Sequence, residues 1–266
     1  MGLFSFIVRK NTKGSTRVIR GGLKDSVHFE RVLKKEQEII QGRNELIAKK
    51  ESNKENRDTY LYYAIANNYI NIIKIRYSMG DDIKELKDIY MNSLKYFLLG
   101  FEAEEPMYFD MLNRVALAIL LNVPIDNFKQ LVNYMQQMDE QANPADWTPD
   151  LLLWYLLNSR LKDNDKKHVQ KLAFPKLYKD LYKLTKASDD ETAKKGLKEY
   201  ISKWYNLNKD APWYNNHLRG AYRGYWAWEV AAVAKVMHID DTGLKENPYY
   251  PYDMVHWEDC EENKER

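Results

Sequence analysis

The chain has 266 residues, of which 44% are hydrophobic and 30% are charged, with 11 glycines and 8 prolines. This composition excludes a disordered chain, and the scarcity of helix breakers favours helices over a turn-rich β fold. The net charge is +2, but residues 240–266 contain nine acids and three bases, so this segment alone carries −6. A basic nucleic-acid binder is not expected to end in this way, and we therefore expect no direct contact with nucleic acid.

Helices are predicted along the first half of the chain by apolar residues at three- and four-residue spacing. Their approximate ranges are 23–52, 57–79, 82–101, 107–121 and 126–138. Gly80 is expected to end the second helix, and Asp82 with Glu85 forms a capping box for the third. The fourth helix is apolar nearly all round between Val115 and Leu121, which is typical of a helix buried at the centre of a bundle.

The second half of the chain also contains helix start signals. Thr148 followed by Pro149 predicts a helix start, with Thr148 as the N-cap. Pro175 is expected to open another helix, and Ser188 with Glu191 forms a second capping box. A long aromatic helix is predicted from Trp213 to Met237.

The chain divides at a break over residues 143–146, where we place a soft domain boundary. The predicted parts are a loose N-terminal arm (1–22), an N-terminal helical domain (23–142), a C-terminal helical domain (147–257) and an acidic tail (258–266). The predicted fold class is all-α, an array of about ten helices in two closely packed helical domains.

Signals for export, membrane insertion and metal or cofactor chemistry are missing from the sequence. The apolar patch Leu3–Val8 lacks the basic region and cleavage site of a signal peptide, and no stretch approaches the ~20 apolar residues of a membrane span. The single cysteine, Cys260, permits no internal disulfide and no thiolate metal site. No nucleotide-binding, kinase, zinc-protease or nucleophile-elbow pattern occurs. We expect a cytoplasmic protein that is not an enzyme, with no catalytic residues, cofactor, metal or membrane contact.

Glu229 is the acidic residue with the most constrained surroundings, because it lies in an otherwise apolar predicted helix. A buried carboxylate needs a hydrogen-bond or ion-pair partner. Arg219, Arg223 or a tyrosine hydroxyl are the candidates. The interpretations are a structural polar lock, which we favour, a contact with a partner, and a catalytic acid.

The segment that follows combines acids with tyrosines. Asp240 and Asp241 are expected to cap a short helix over 242–244, with metal binding as the less favoured interpretation. Residues 248–253 cannot form a regular helix because Pro251 restricts Tyr250 and removes a backbone donor. Its tyrosines either pack this loop onto the aromatic helix or form an exposed aromatic and acidic interface.

Three short motifs make the sequence resemble a known family. They are Gly224–Glu229 (GYWAWE), Ile239–Asp241 and Tyr249–Asp253 (YYPYD), supported upstream by Tyr200, Trp204–Tyr205, Trp213–Tyr214, His217 and Tyr77–Asp81. They resemble the PoNi-like immunity proteins, which neutralise PoNe-type DNase toxins exchanged between competing bacteria. The resemblance implies an all-helical protein that binds and blocks a cognate toxin. It assigns a structural role to Tyr225, Trp226, Trp228, Glu229 and Pro251.

The resemblance also suggests where a toxin would bind. The DNA-binding groove of a nuclease is basic, so an acidic, tyrosine-rich face would compete for it by charge complementarity. The candidate partner-binding residues are Asp240, Asp241, Tyr249, Tyr250, Tyr252, Asp253, Glu258 and Asp259. The alternative is a helical protein-interaction adaptor with no toxin partner, which would bind in a groove between helices.

Overall fold

The computed structural model of the protein is an array of α-helices. It describes residues 18–53, 58–100, 107–143 and 145–262, with side chains as far as residue 258. Ten α-helices lie in these ranges: α1 (Ser26–Ser52), α2 (Thr59–Ser78), α3 (Ile83–Gly100), α4 (Tyr108–Leu120), α5 (Ile125–Gln141), α6 (Leu151–Asn158), α7 (Pro175–Leu184), α8 (Asp190–Leu207), α9 (Trp228–Met237) and α10 (Tyr252–Glu262). Within the same ranges no strand forms, and Asp150 and Lys171 make an isolated parallel bridge. The predicted all-α fold is confirmed.

Helix α4 lies at the centre of the array, as its apolar sequence predicted. Residues 115–121 are all buried. Helix α4 packs against α6 and α9, whereas α2 packs against α1 and α3. A continuous cluster of buried apolar side chains extends from Phe29 in α1 to Met254 in α10. Because each fully buried aliphatic or aromatic side chain contributes about 1.5–3 kcal/mol, this cluster is the main source of stability.

Several predicted helix boundaries are confirmed. Gly80 has φ +83°, a left-handed conformation that favours glycine, and it follows the end of α2. Asp82 caps α3 by accepting a hydrogen bond from the backbone N–H of Lys84 at 3.0 Å. The reciprocal half of that capping box does not form as expected, because the carboxylate of Glu85 is bonded to Arg76. Pro175 occupies the first turn of α7, where its missing N–H costs nothing.

Three predicted helix starts are corrected by the structure. Asp150 caps α6, not Thr148: its Oδ1 accepts the backbone N–H of Leu153 at 2.8 Å. Asp189 caps α8, not Ser188, by accepting the N–H of Thr192 at 2.8 Å. Helix α5 begins at Ile125 after Pro124, one residue before the expected start at Asp126. In the first two cases a carboxylate one or two residues after the predicted cap makes the capping hydrogen bond, and a carboxylate is among the preferred capping groups.

The long aromatic helix predicted from Trp213 to Met237 is the largest error. Only Trp228–Met237 is α-helical, and residues 216–219 form a short 3-10 helix. Gly220 and Gly224 have φ values of +72° and +107°, which no right-handed helix contains. A Cβ on Gly224 would collide with Ser78 and with the indole of Trp226, so glycine lets this segment lie directly against the end of α2.

The end of the predicted N-terminal arm is fixed to the helical body. Residues 1–17 of that arm lie outside the described residues. The backbone N–H groups of Arg20 and Gly21 donate to the carbonyl of Ser78 at 2.9 and 3.0 Å. The Arg20 guanidinium donates to Asp253 Oδ2 at 2.6 Å and to the carbonyl of Asp81 at 2.9 Å, and it lies over the ring of Tyr77. This arginine therefore ties the N-terminal segment to α10.

Candidate functional site

The C-terminal segment that contains the predicted partner-binding residues runs from the end of α9 to α10. His238, with φ +54°, ends α9 in a left-handed conformation, and a 3-10 helix follows at Thr242–Leu244. The loop then returns to the start of α9, where the carbonyl of Tyr249 accepts the backbone N–H of Ala227 at 2.9 Å. Helix α10 packs on α9 and α3. The candidate residues are therefore held on a well-supported loop and not on a free tail.

Asp241 and Tyr250 lie inside this segment, each with 2% of its surface exposed. The Tyr250 hydroxyl donates to Asp241 Oδ2 at 2.6 Å, and His256 Nε2 donates to Oδ1 at 2.7 Å. Burial and the neighbouring carboxylate hold the pKa of Tyr250 well above its usual range. Both carboxylate oxygens are satisfied, as a buried carboxylate requires. In this conformation the two side chains offer no surface to a partner, and they lock the loop to α10.

Asp240 lies beside this lock but is exposed. Its carboxylate pairs with Lys194 Nζ at 2.5 Å and accepts the hydroxyl and backbone N–H of Thr242 at 2.6 and 3.1 Å. The hydrogen bond from Lys194, with those from Thr242, holds the pKa of Asp240 well below its usual range. Asp240 therefore bonds to the first residue of the short helix, whereas Asp241, at the N-cap position, makes no side-chain capping hydrogen bond and faces the interior.

The other acidic candidates also have intramolecular partners. Asp253 pairs with Arg20 at 2.6 Å. Glu258 accepts from Lys235 Nζ at 3.0 Å and from Asn122 Nδ2 at 2.6 Å. The side chain of Asp259 lies outside the described residues. Since Lys194, Arg20 and Lys235 neutralise these acids locally, the face is less negative than the sequence count suggests.

The tyrosine candidates mostly pack against other aromatic rings. Tyr249 stacks on Tyr205 with centroids 5.0 Å apart and an interplanar angle of 3°, and Tyr252 lies 4.4 Å from the ring of His256. Both tyrosines are half-buried, and Pro251 between them is buried. Tyr249 thus packs on α8 and Tyr252 packs within α10, whereas one of the two interpretations of the sequence placed the tyrosines of this loop on the aromatic helix. The half-exposed edges of both rings face solvent.

The residues of the GYWAWE motif join the two halves of the molecule. Trp226 Nε1 donates to Ser78 Oγ at 2.9 Å, and its ring meets Tyr77 edge-on at 4.7 Å. Trp228 also packs edge-on against Tyr77, at 5.3 Å. The hydroxyl of Tyr225 accepts the backbone N–H of His217 at 3.0 Å. These contacts attach the segment before α9 to the C-terminal end of α2.

Glu229 is buried in the first turn of α9, and its partner is not one of those expected. Trp204 Nε1 donates to Glu229 Oε1 at 2.6 Å. Burial raises the pKa of Glu229 to about 7, an effect that the hydrogen bond from Trp204 and the charge of Lys74 partly offset. Of the expected partners, Arg223 is bonded to Glu36 instead.

This Arg223–Glu36 pair is a buried contact that sequence reasoning missed. Arg223 Nη2 and Nε donate to Glu36 Oε1 at 2.6 and 3.0 Å, and Asn71 donates to the other oxygen at 3.3 Å. The signal was present, since Glu36 falls on the apolar stripe of α1. A stripe position cannot, however, identify a partner 187 residues away. The pair fixes the aromatic segment to α1 as Trp226 fixes it to α2.

Two kinds of feature are absent from the part of the chain that the structure describes. Within the residues that the structure describes, no three histidine, cysteine, aspartate or glutamate side chains cluster as ligands for a metal ion. Across the same residues, none of the helices combines the length and the hydrophobicity that a bilayer crossing requires. What the segment does contain is a dense set of buried aromatic rings that holds exposed acids and tyrosine edges in fixed positions.

The fold and this segment define an all-helical protein in which the residues before α9 pack against α1 and α2, and comparison with known families names the group. The family profile of PoNe immunity proteins (PoNi), C-terminal, matches residues 148–254. The profile of the PoNe immunity protein (PoNi), N-terminal, matches residues 20–133. The chain belongs to the PoNe immunity protein family, as the resemblance of its motifs predicted.

A solved structure shares the fold. The crystal structure of protein PA2201 from Pseudomonas aeruginosa superposes with a TM-score of 0.67 over 93% of each chain, at 18% sequence identity. At this identity the likeness shows the fold alone. No curated protein matches the sequence closely enough to count as a relative.

Proposed function

We propose that this chain binds and neutralises a PoNe-type toxin, a DNase used in competition between bacteria, by direct protein–protein contact in the cytoplasm of the producing cell. The observation that carries the proposal is the match to both PoNe immunity profiles, which together span most of residues 20–254. The segment described above supports a binding role, because it presents side chains held in place before any partner arrives.

The proposed contact surface on the C-terminal segment consists of its exposed or half-exposed candidates. They are Asp240, Tyr249, Tyr252, Asp253 and Glu258, with Asp259 beside them in the chain. The basic groove of a nuclease would compete with Lys194, Arg20 and Lys235 for these carboxylates. Surface ion pairs are worth only about 0–1 kcal/mol, so exchanging them for toxin contacts costs little. The buried Asp241 and Tyr250 would act by holding the loop in shape.

Binding and inhibition can be tested together. The chain would be co-expressed with the PoNe-type toxin domain encoded beside its gene, and the complex isolated through a tag on one partner. DNase activity would then be titrated with the purified chain, using an unrelated DNase as a control. We expect co-purification and loss of activity that is complete near one equivalent, with the control enzyme unaffected. Absence of a complex together with undiminished DNase activity would remove the proposal for this pair.

The acidic face can be tested separately by charge reversal. The variant Asp253→Lys, Glu258→Lys, Asp259→Lys should weaken toxin binding, with a difference from the wild type that shrinks at high salt. A matched control reverses three exposed acids on α1: Glu30→Lys, Glu38→Lys, Glu45→Lys. Equal affinity of the first variant and the wild type would show that the toxin binds elsewhere, without refuting the immunity role.

A further inference from the structure

Two exposed phenylalanine rings lie in contact where α4 and α7 begin. Met107, Phe109 and Phe174 are 53%, 43% and 36% exposed. The rings of Phe109 and Phe174 are 4.8 Å apart, and both pack on the buried ring of Tyr108, at 5.4 and 4.6 Å. We name Met107, Phe109 and Phe174 the Phe109–Phe174 patch. Large apolar side chains exposed side by side are typical of interaction sites, whereas isolated ones are ordinary surface.

The other large exposed apolar side chains of the described residues are mostly aliphatic. They are Val18, Leu23, Val27, Leu46, Tyr60, Ile125 and Leu218. Tyr60 is the aromatic one among them, and no described ring contact joins it to Phe109 or Phe174. Within the described structure, the exposed aromatic rings that contact each other are therefore those of Phe109 and Phe174. Aromatic residues are the side chains that protein interfaces use most often as anchors.

The patch is held rigid by one carboxylate. Asp150 Oδ1 accepts the hydroxyl of Tyr108 at 2.9 Å, and its Oδ2 accepts the backbone N–H of Ala173 at 2.7 Å. Tyr108 precedes Phe109 in the chain and Ala173 precedes Phe174, so a single buried side chain positions both rings. Such pre-organisation lowers the entropy cost of binding. It also joins the segments that match the N-terminal and C-terminal family profiles.

The α7 side of the patch is basic. Residues 171–179, which contain Phe174, carry three lysines and no acid. Lys171, Lys176 and Lys179, which flank Phe174, are exposed and form no ion pair with a described residue. A complementary partner surface is thus apolar at its centre and acidic at its rim. The groove of a nuclease is basic because it holds phosphates, so it does not fit this description.

We infer that the Phe109–Phe174 patch is a docking surface for an apolar, acid-rimmed part of the toxin that lies outside its nucleic-acid groove. The inference rests on the proposed immunity function and adds a second, positively charged contact to it. Docking on the Phe109–Phe174 patch holds the toxin by a surface that the toxin's DNA substrate does not occupy. Asp150 serves as the positioning residue of this contact, and it touches no partner itself.

The test compares aromatic truncations with a matched control in a binding assay. Phe109→Ala, Phe174→Ala and the double variant would be titrated against the co-encoded toxin domain by calorimetry. The control, Leu218→Ala, removes a side chain that is 74% exposed elsewhere on the protein. We expect Kd to rise roughly tenfold for each single variant. Because the two rings contact each other, their effects are not additive, and the double variant should weaken binding at least as much as either single variant. Leu218→Ala should leave Kd within a factor of about two, the ordinary outcome for a non-anchor residue.

Three outcomes separate the possibilities. If the wild type itself does not bind the toxin, the proposed function fails. If the wild type binds and the folded double variant, checked by circular dichroism, binds with unchanged Kd, the docking inference alone is overturned. If the free chain self-associates through the patch while the variants keep toxin affinity, the surface joins two copies of this chain and the inference is again wrong.

The charge of the rim is tested by a second variant that leaves the rings in place. Lys171→Glu, Lys176→Glu, Lys179→Glu should slow association with the toxin, and the effect should shrink as salt is raised. Lys198→Glu, an exposed lysine on α8, provides the control for a changed charge. A triple variant that associates as fast as the wild type at low salt would contradict an acidic rim on the partner.

Discussion

The buried carboxyl group of Glu229 should make the stability of this protein depend on pH. Its pKa is raised to about 7 from the ordinary value of 4.5, chiefly by burial. Between these two values the folded chain keeps a proton at Glu229 that the unfolded chain has released. Raising the pH through this window therefore lowers the free energy of unfolding, because the unfolded state is stabilised by releasing a proton that the folded state retains.

The magnitude follows from the two pKa values. Between pH 5 and pH 8, a group that titrates near 4.5 when unfolded and near 7 when folded costs about 2–3 kcal/mol of stability. The cost is almost absent below pH 4.5 and complete above pH 8. Glu229→Gln removes the charge, and its amide oxygen can still accept the hydrogen bond from Trp204 Nε1. The variant should therefore gain on the wild type by about 2–3 kcal/mol as pH rises from 5 to 8.

The measurement is urea-induced unfolding of both proteins at several pH values, with the difference between them plotted against pH. Taking the difference cancels the histidines and exposed acids that titrate in both proteins. Glu38→Gln, at an exposed position on α1, supplies the control and should show a flat difference. A flat difference for Glu229→Gln as well would mean that Glu229 is ionised in the folded protein at pH 5, with Lys74 compensating its charge, and would refute the argument.

Three further substitutions test the contacts that hold the C-terminal loop and that join it and its neighbours to the N-terminal part of the chain. Gly224→Ala should lower the free energy of unfolding by about 2–4 kcal/mol, because φ is positive there and the added Cβ collides with Ser78. Gly22→Ala is the control in the same urea titration, and it should change little because its Cβ would meet no other atom. Tyr250→Phe removes a hydrogen-bond donor to the buried Asp241 and should lower the free energy of unfolding by about 1–3 kcal/mol. The exposed Tyr60→Phe should change nothing, and an equal effect of both would contradict a stabilising role for the Tyr250–Asp241 hydrogen bond. Arg20→Ala should cost about 1–2 kcal/mol and speed proteolysis near the N-terminus, and unchanged cleavage would argue against the anchoring role.

The helical frame was predictable because its signals are local. The apolar run of α4 identified the centre of the core, and Gly80, Asp82 and Pro175 marked helix ends through their own backbone requirements. Each of these residues acts on neighbours within four positions in the chain. Where two capping residues stood side by side, as with Ser188 and Asp189, the sequence identified the helix but not which residue would cap it.

The segment before α9 was not predictable in the same way. The run Tyr222–Trp228 is aromatic and apolar, and periodicity favours a helix for it. Its conformation is decided instead by Gly224, by the hydrogen bond from Trp226 to Ser78, and by the pair of Arg223 with Glu36. These contacts cross 148 and 187 residues of chain. Tertiary contacts of this kind override local propensity, and a pattern within one segment cannot reveal them.

The acidic face shows the same limit for the candidate site. Composition identified the acids, but the net charge of the face they form depends on cations elsewhere in the chain. Arg20 pairs with Asp253, and Lys194 pairs with Asp240. The exposed rings of Phe109 and Phe174 escaped the sequence analysis because each is a single apolar residue at a helix start. They become a patch only when Asp150 brings α4 and the segment before α7 together.

Burial separates the residues that maintain the fold of this protein from those that, under the proposed function, a toxin would meet. Trp226, Trp228 and Glu229 are buried and present almost no surface to a partner, so substitutions there should change stability first and affinity only through the fold. Phe109 and Asp253 are exposed, and substitutions there change what a partner meets while leaving most of the core intact. Selectivity among PoNe-type toxins is for this reason expected at surface positions such as these, and not in the motifs that identify the family.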